Sequence, residues 1–94
     1  MATKTAPFDV ARYLDDPETI AAFLNDALET GNPAHINRAL GDVARAKGMT
    51  QLARETGLKR EALYRALSET GNTQFTTVMQ VVKAMGLRLS VVPQ

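Results

Sequence analysis

Helix start signals and well-placed glycines divide most of this chain into helices. Asp16-Pro17 and Asn32-Pro33 each place a side-chain acceptor before a proline, which suits a first helical turn because proline has no amide hydrogen to leave unpaired. Apolar residues follow at helical spacing, and a glycine ends each stretch. The sequence predicts one helix from residue 17 to the glycine at 31 and a second from residue 33 to the glycine at 48. Their buried faces should comprise Ile20, Phe23, Leu24, Ala27 and Leu28 in the first helix and Ile36, Ala39, Leu40, Val43 and Ala44 in the second.

Two short helices are predicted in the middle of the chain. Thr50 is a suitable cap for a helix over residues 51–56, which Gly57 ends by adopting the positive φ of a tight turn. Another helix is predicted from about residue 60 to residue 68. If these helices cross at a steep angle, the small Ala53 fits their closest approach, which is helix-turn-helix geometry. The wedge between them should be filled by Leu52, Leu58, Leu63 and Leu67.

The end of the chain changes its periodicity. A helical stripe predicts a last helix that ends at Gly86 and buries Phe75, Val78, Met79, Val82 and Met85. Residues 87–92 alternate apolar and polar side chains, which predicts a short C-terminal β-strand. A lone strand cannot satisfy its own backbone, so this strand should either fray or pair with a second copy or another chain. Its candidate dimer-interface residues are Leu87, Leu89 and Val91.

The amino-terminal segment carries weaker signals. Residues 1–7 are predicted to be a loose terminus, and Asp9 could cap a short helical turn over residues 8–14. Phe8, Tyr13 and Phe23 are candidates for contact with a protein partner, with core packing as the competing role. The whole chain, residues 1–94, is predicted to be one all-α domain of five helices with a short C-terminal strand.

Composition excludes several classes of protein. The 94 residues are 45% apolar and 22% charged, which is the composition of one small globular domain. The chain has no cysteine and a single histidine, His35, so we expect no disulfide, metal site or cofactor. No phosphate loop, nucleophile elbow or HExxH pattern is present, which argues against an enzyme. The absence of a long apolar run predicts a cytoplasmic protein without a membrane partner.

The outer face of the second short helix has the chemistry of a DNA-binding surface. Arginine can donate two parallel hydrogen bonds to a guanine edge, and the amino end of a helix can hold a phosphate. The predicted DNA contacts are Thr50, Gln51, Lys59, Arg60, Glu61, Tyr64, Arg65 and Ser68. Helix-glycine-helix patterns also occur in helical bundles that bind no DNA, and the cations could form a solvated face.

Charge is distributed unevenly along the chain. Residues 1–48 contain five Lys/Arg and seven Asp/Glu, a balance of −2, whereas residues 49–94 contain six and three, a balance of +3. The basic excess therefore lies in the half that contains the two short helices. So small an excess supports nucleic-acid binding only if the charges share one surface of the fold.

The chain from Phe8 to Ser90 resembles the probable addiction-module antidote family, whose members carry a helix-turn-helix domain of the lambda-repressor-like superfamily. The resemblance is carried by Phe8-Asp9, Tyr13 to Glu18, Ile20, Phe23-Leu24, Ala27-Leu28, Gly48 to Ala53, Gly57-Leu58, Arg60 to Ser68, Gly71-Asn72, Phe75, Thr77 and Ala84 to Leu87. It implies a HigA-like antitoxin of a type II toxin-antitoxin system, encoded beside a small HigB/RelE-like toxin that cleaves messenger RNA. Such an antitoxin binds its toxin and represses its own operon by binding operator DNA, here predicted to be as a homodimer.

Two departures from the family pattern affect the DNA-binding interpretation. Lys59 stands where the family usually has serine, so the second short helix loses a good cap and gains a charge. Gln51 directly precedes Leu52-Ala53, whereas in general lambda-repressor-like domains the corresponding glutamine lies farther upstream of this pair. The first short helix is therefore expected to begin later in this chain. Two alternatives to an autorepressing antitoxin remain at this point: a stand-alone transcriptional regulator, and a toxin-binding module with weak DNA binding.

Overall fold

In the computed structural model, which describes residues 14–68 and 73–94, the chain folds into helices joined by short connections. The helices in these ranges are α1 (Pro17–Glu29), α2 (Pro33–Lys47), α3 (Met49–Thr56), α4 (Arg60–Ala66) and α5 (Phe75–Ala84). None of them combines the length and the hydropathy of a membrane-spanning segment. The five predicted helices are confirmed. The predicted loose terminus at 1–7 and the predicted helical turn up to residue 13 lie outside the described residues, as do residues 69–72.

The Asx-Pro pairs cap α1 and α2 as predicted. The Asp16 carboxylate accepts a hydrogen bond from the Thr19 amide at 2.7 Å, and the Asn32 side-chain oxygen accepts one from the Ala34 amide at 3.0 Å. The hydrogen bond from the Thr19 backbone lowers the pKa of Asp16, because it stabilises the charged carboxylate. Both helices therefore begin at the prolines that the sequence indicated.

α3 lies at the centre of the packing. It contacts α2, α4 and α5, and α2 in turn packs against α1. The buried apolar side chains of the described residues form one cluster, which comprises Leu14, Ile20, Leu24, Ala27, Ala39, Leu40, Val43, Ala44, Met49, Leu52, Leu63, Leu67, Val81, Val82 and Met85. The predicted buried faces of α1 and α2 supply much of this core, although Leu28 is 45% exposed.

The predicted buried face of α5 was partly wrong. Phe75 is 69% exposed and Met79 is 46% exposed, whereas Val81, which the prediction omitted, is fully buried. The inner face is instead Val78, Val81, Val82 and Met85, which also has helical spacing. Because apolar residues occur on several sides of this helix, its periodicity fits two stripes, and packing against α3 selects one of them.

Asn37 is a buried polar residue that joins α2 to the end of α4. Its side chain is 6% exposed. Its amide nitrogen donates to the Ala66 carbonyl at 3.0 Å and to the Ser68 carbonyl at 2.7 Å. The Thr73 hydroxyl contacts both the Asn37 side-chain oxygen and the Ala66 carbonyl. Asn37 thus satisfies carbonyls that α4 leaves unpaired where it ends.

Gly41 lets the end of α4 come close to α2. A Cβ atom at this position would lie 2.7 Å from the Leu67 carbonyl oxygen, which is closer than van der Waals contact permits. Gly41 is buried, one helical turn beyond Asn37. The end of α4 is therefore held against α2 by a close backbone approach as well as by hydrogen bonds.

The predicted C-terminal strand is not confirmed, because residues 87–94 form no regular secondary structure in the single chain. The Leu87 amide donates to the Val82 carbonyl at 3.1 Å, and the Leu87 side chain packs on the core. Beyond it, Leu89 is 37% exposed and Val91 is 98% exposed. A strand needs a partner for its backbone groups, and the described part of this chain provides no strand beside it.

Candidate nucleic-acid interface

Three residues join α3 to α4 in a tight, hydrogen-bonded turn. Gly57 has a φ of 78°, as its predicted role requires, and its amide donates to the Ala53 carbonyl at 2.9 Å. The Thr56 hydroxyl donates to the Leu52 carbonyl at 2.8 Å and accepts from the Leu58 amide at 3.2 Å. Thr56 therefore ties the last turn of α3 to the residue after the glycine, which fixes the direction in which α4 begins.

The wedge between α3 and α4 is apolar, as predicted. Leu52 and Leu63 are fully buried, and Leu67 is 2% exposed. Leu58 is half-buried and packs against the same cluster. Because Leu63 anchors the inner side of a helix that is only seven residues long, the opposite side of α4 is left to solvent.

Seven of the eight predicted DNA contacts have exposed side chains. They are Thr50, Gln51, Lys59, Arg60, Glu61, Tyr64 and Arg65. The eighth, Ser68, is half-buried, and its hydroxyl donates to the Arg65 carbonyl at 3.1 Å. α4 and the residue before it thus display three cations, one carboxylate and one aromatic ring on a solvent-facing surface, while Ser68 belongs to the end of the helix.

The Arg60 side chain lies over the Tyr64 ring. Its guanidinium carbon is 5.8 Å from the ring centroid, which is within the range of a cation–π contact. The two residues stand one helical turn apart on the exposed side of α4. Arg60 is exposed and Tyr64 is 47% exposed, so the guanidinium rests on the ring while both side chains remain at the surface.

The predicted cap of α3 was wrong. α3 begins at Met49, and Gly48 with a φ of 103° occupies the cap position, so Thr50 lies inside the first turn. The Leu52 amide donates to the Gly48 carbonyl at 2.9 Å, which starts the helix before the predicted position. α4 likewise has no side-chain cap, because Lys59 stands at its cap position. This agrees with the expected loss of a capping residue there.

Gln51 is already engaged within the protein. Its amide nitrogen donates to Glu55 at 3.0 Å, and the other oxygen of that carboxylate lies 3.4 Å from the Lys47 ammonium. The hydrogen bond from Gln51 is the main cause of a lowered pKa of Glu55, and Lys47 contributes to it. Sequence reasoning missed Glu55, although its position four residues after Gln51 places both on one side of α3.

The segment that contains α3 and α4 has a small positive charge balance, as α2 does. Residues 50–68 contain four Lys/Arg and two Asp/Glu, a balance of +2, whereas residues 14–31 contain five Asp/Glu and no Lys/Arg. The charge asymmetry of the sequence therefore separates an acidic α1 region from a more basic α3–α4 pair.

Comparison with known proteins identifies the family of this chain. The sequence profile of a family described as "Probable addiction module antidote protein" matches residues 4–93. The chain belongs to this family. A protein from Haemophilus influenzae described as "Uncharacterized protein" is 48% identical to this antidote over 91 residues, which are 97% of this chain and 94% of the relative. No solved structure matches the antidote.

Family membership confirms the resemblance seen in the sequence at the level of the antidote family. An addiction-module antidote acts with a toxin, so this chain is an antitoxin whose partner is a toxin. The match covers α1 to α5 and most of the residues after α5. The α3–α4 surface of the antidote therefore lies within the part of the chain that the family profile matches.

Proposed function

We propose that this antidote is the DNA-binding antitoxin of a type II toxin-antitoxin system. It neutralises a HigB/RelE-like toxin and represses its own operon through a lambda-repressor-like helix-turn-helix formed by α3 and α4. The proposed binding to operator DNA rests on one observation, which is that α4 has a buried inner side and an exposed outer side. Its inner residue Leu63 is fully buried, while Arg60 and Arg65 are exposed on the outer side.

The outer side of α4 supplies the groups that read a major groove. Arg60 and Arg65 each offer a planar fork of donors for the O6 and N7 acceptors of guanine. Glu61 can accept a hydrogen bond from a cytosine amine, and Lys59 at the start of the helix can neutralise a phosphate. Thr50 in the first turn of α3 lies near amide hydrogens that the helix leaves unpaired, so it is assigned to the DNA backbone.

Tyr64 should contribute to DNA binding by orienting Arg60. We expect Tyr64→Leu to weaken binding to the upstream operator about twofold to fivefold, since an exposed cation–π contact contributes about 0.5–1 kcal/mol. Tyr64→Phe keeps the aromatic ring and should bind like the wild type in fluorescence anisotropy titrations. An equal loss in both variants would assign the effect to the tyrosine hydroxyl and contradict the orienting role.

The antidote is further proposed to act as a homodimer joined through residues 87–92. Pairing with a second copy would give this segment the strand partner that the single chain lacks, with Leu87, Leu89 and Val91 at the seam. The exposure of Leu89 and Val91 supports this proposal, because both would lose apolar contact with water on pairing. A two-fold dimer would place its α4 helices about 34 Å apart on a palindromic site.

Removing residues 89–94 should therefore convert the antidote from a dimer to a monomer. The truncation keeps Leu87, whose side chain packs on the core, so the helical domain should remain folded. Sedimentation-velocity ultracentrifugation of the full-length and shortened proteins at equal concentration measures the change. A shortened protein that sediments entirely as a dimer would place the dimer contact elsewhere.

One observation favours a second candidate function, a toxin-binding module with weak DNA binding. Large apolar side chains are exposed away from α4, and those on helices are Leu28, Phe75 and Met79. Phe75 and Met79 stand one helical turn apart on α5, and neighbouring apolar side chains left in water are suited to contact with a protein partner. Of the aromatic residues considered for the toxin contact, Phe23 is half-buried against the core, whereas Phe8 and Tyr13 lie outside the described residues.

A cell-based experiment separates these functions. The antidote is expressed beside a reporter driven by its own upstream promoter, with and without the neighbouring open reading frame that encodes the candidate toxin. An autorepressing antitoxin should lower reporter expression and restore growth in cells that make the toxin. Restored growth without repression would favour the toxin-binding module. Repression without any toxic neighbour would favour a stand-alone regulator.

A further inference from the structure

In the proposed DNA surface, the first turn of α3 is where a contact with the DNA backbone is most expected. One of its side chains, however, is already hydrogen-bonded within the protein. Gln51 is exposed and stands near the unpaired amide hydrogens of the helix start. Its side-chain amide is the natural donor to a phosphate. In the free protein that amide donates to Glu55 at 3.0 Å instead.

Glu55 also forms an ion pair with a cation that lies near Gln51. The Lys47 ammonium at the end of α2 lies 3.4 Å from the Glu55 carboxylate, and the two side chains are 25% and 39% exposed. One carboxylate thus holds two groups of this region, Gln51 and Lys47, that could otherwise meet a phosphate. Its own negative charge, one helical turn beyond Gln51, repels phosphate as well.

These contacts separate two contributions to DNA binding. Backbone contacts raise affinity for any sequence, whereas contacts to base edges distinguish one sequence from another. α4 carries the residues assigned to base edges, whereas the DNA backbone is assigned to the start of α3 and to Lys59, which precedes α4. A group that weakens only the α3 contribution lowers nonspecific affinity while leaving the base contacts intact.

We propose that Glu55 is a specificity-determining residue of the antidote. Glu55 accepts a hydrogen bond from Gln51 and pairs with Lys47, and it thereby weakens the contacts of α3 with the DNA backbone. Stable binding then depends on the base sequence that α4 contacts. This inference rests on the proposed DNA-binding function. It concerns the balance between operator and nonspecific DNA, and Glu55 acts through its neighbours without touching DNA.

The test compares Glu55→Gln and Glu55→Ala with the wild-type antidote on two duplexes, its own upstream DNA and a scrambled sequence of equal length. Glu29→Gln is the matched control, because it makes the same charge change at an exposed residue at the end of α1. Binding is titrated between 50 and 200 mM salt, and the slope of log K against log salt concentration is measured. Melting temperatures are measured for all variants.

Both Glu55 variants should bind the scrambled duplex more tightly than the wild type, and this advantage should be about threefold larger at 50 mM than at 200 mM salt, because one added phosphate contact changes affinity by about that factor over this range. Their salt slopes should steepen by about one unit, which a purely structural role would not produce. Their preference for the upstream DNA should fall. Glu29→Gln should leave the slope and the preference unchanged.

Two other outcomes overturn this inference in distinguishable ways. If the wild type prefers its upstream DNA but the Glu55 variants keep its slope or bind more weakly, Glu55 does not restrain the backbone contacts and the proposed DNA-binding function stands. If the wild type binds both duplexes equally, the proposed function fails and this role of Glu55 fails with it.

Discussion

Replacing both Arg60 and Arg65 by alanine should weaken binding of the antidote to its upstream DNA by at least about 30-fold at fixed salt. Each guanidinium is exposed on the outer side of α4, where it can donate two hydrogen bonds to one base. Loss of one such contact costs about 1–3 kcal/mol, and the two residues are five positions apart, so their losses should roughly add. Fluorescence anisotropy with a labelled upstream duplex measures the change.

A charge-conserving variant separates base recognition from simple attraction to phosphate. Lysine at positions 60 and 65 keeps both positive charges but not the planar fork of donors. The Arg60→Lys, Arg65→Lys protein should therefore retain most of its salt dependence and lose most of its preference over a scrambled duplex. If this lysine variant selects the upstream DNA as well as the wild type does, α4 does not read bases through these arginines.

The second large effect is expected on stability, from Asn37→Ala. The alanine variant should lower the free energy of unfolding by about 2–4 kcal/mol, because it removes the donor to the Ser68 carbonyl, one of the two donors to the Ala66 carbonyl, and a partner of the Thr73 hydroxyl. For a domain of this size each kcal/mol corresponds to about 4–8 °C in melting temperature. Urea unfolding followed by circular dichroism measures the loss directly.

Asn25→Ala is the matched control for this substitution. Asn25 also lies within a helix, but its side chain is exposed, so its loss should change stability by less than about 0.5 kcal/mol. Any gain in helix propensity from alanine is common to both variants and cancels in the comparison. Equal stability of the two variants would show that the buried hydrogen bonds of Asn37 do not hold the end of α4.

Local signals in the sequence were sufficient to predict much of the fold. Asp16 and Asn32 act on amides within their own first helical turns, so their roles can be read without knowing the tertiary structure. The positive φ of Gly57 is similarly local, because only the end of α3 and the start of α4 determine it. The apolar wedge and the exposed cations of α4 then follow from helical periodicity around Leu63.

The features that the sequence did not predict depend on how the helices pack against one another. Asn37 is 29 residues from Ala66, and no periodic pattern marks a polar residue inside an otherwise amphipathic helix as a buried donor. Phe75 and Met79 were placed in the core because α5 is apolar on several sides, and only its packing against α3 decides which side is buried. The role of Glu55 also depends on packing, since its contact with Lys47 requires the end of α2 to lie beside α3.

The most direct measurement is a mobility-shift titration of the wild-type antidote with its own upstream DNA and with a scrambled duplex, each at two salt concentrations. Attraction to phosphate alone predicts equal binding that weakens with salt. Operator recognition through α4 predicts tighter binding to the upstream DNA at both salt concentrations, with the preference lost in the Arg60→Ala, Arg65→Ala protein. Equal, weak binding of the wild type to both duplexes would contradict the repressor role and leave toxin neutralisation as the function of this antidote.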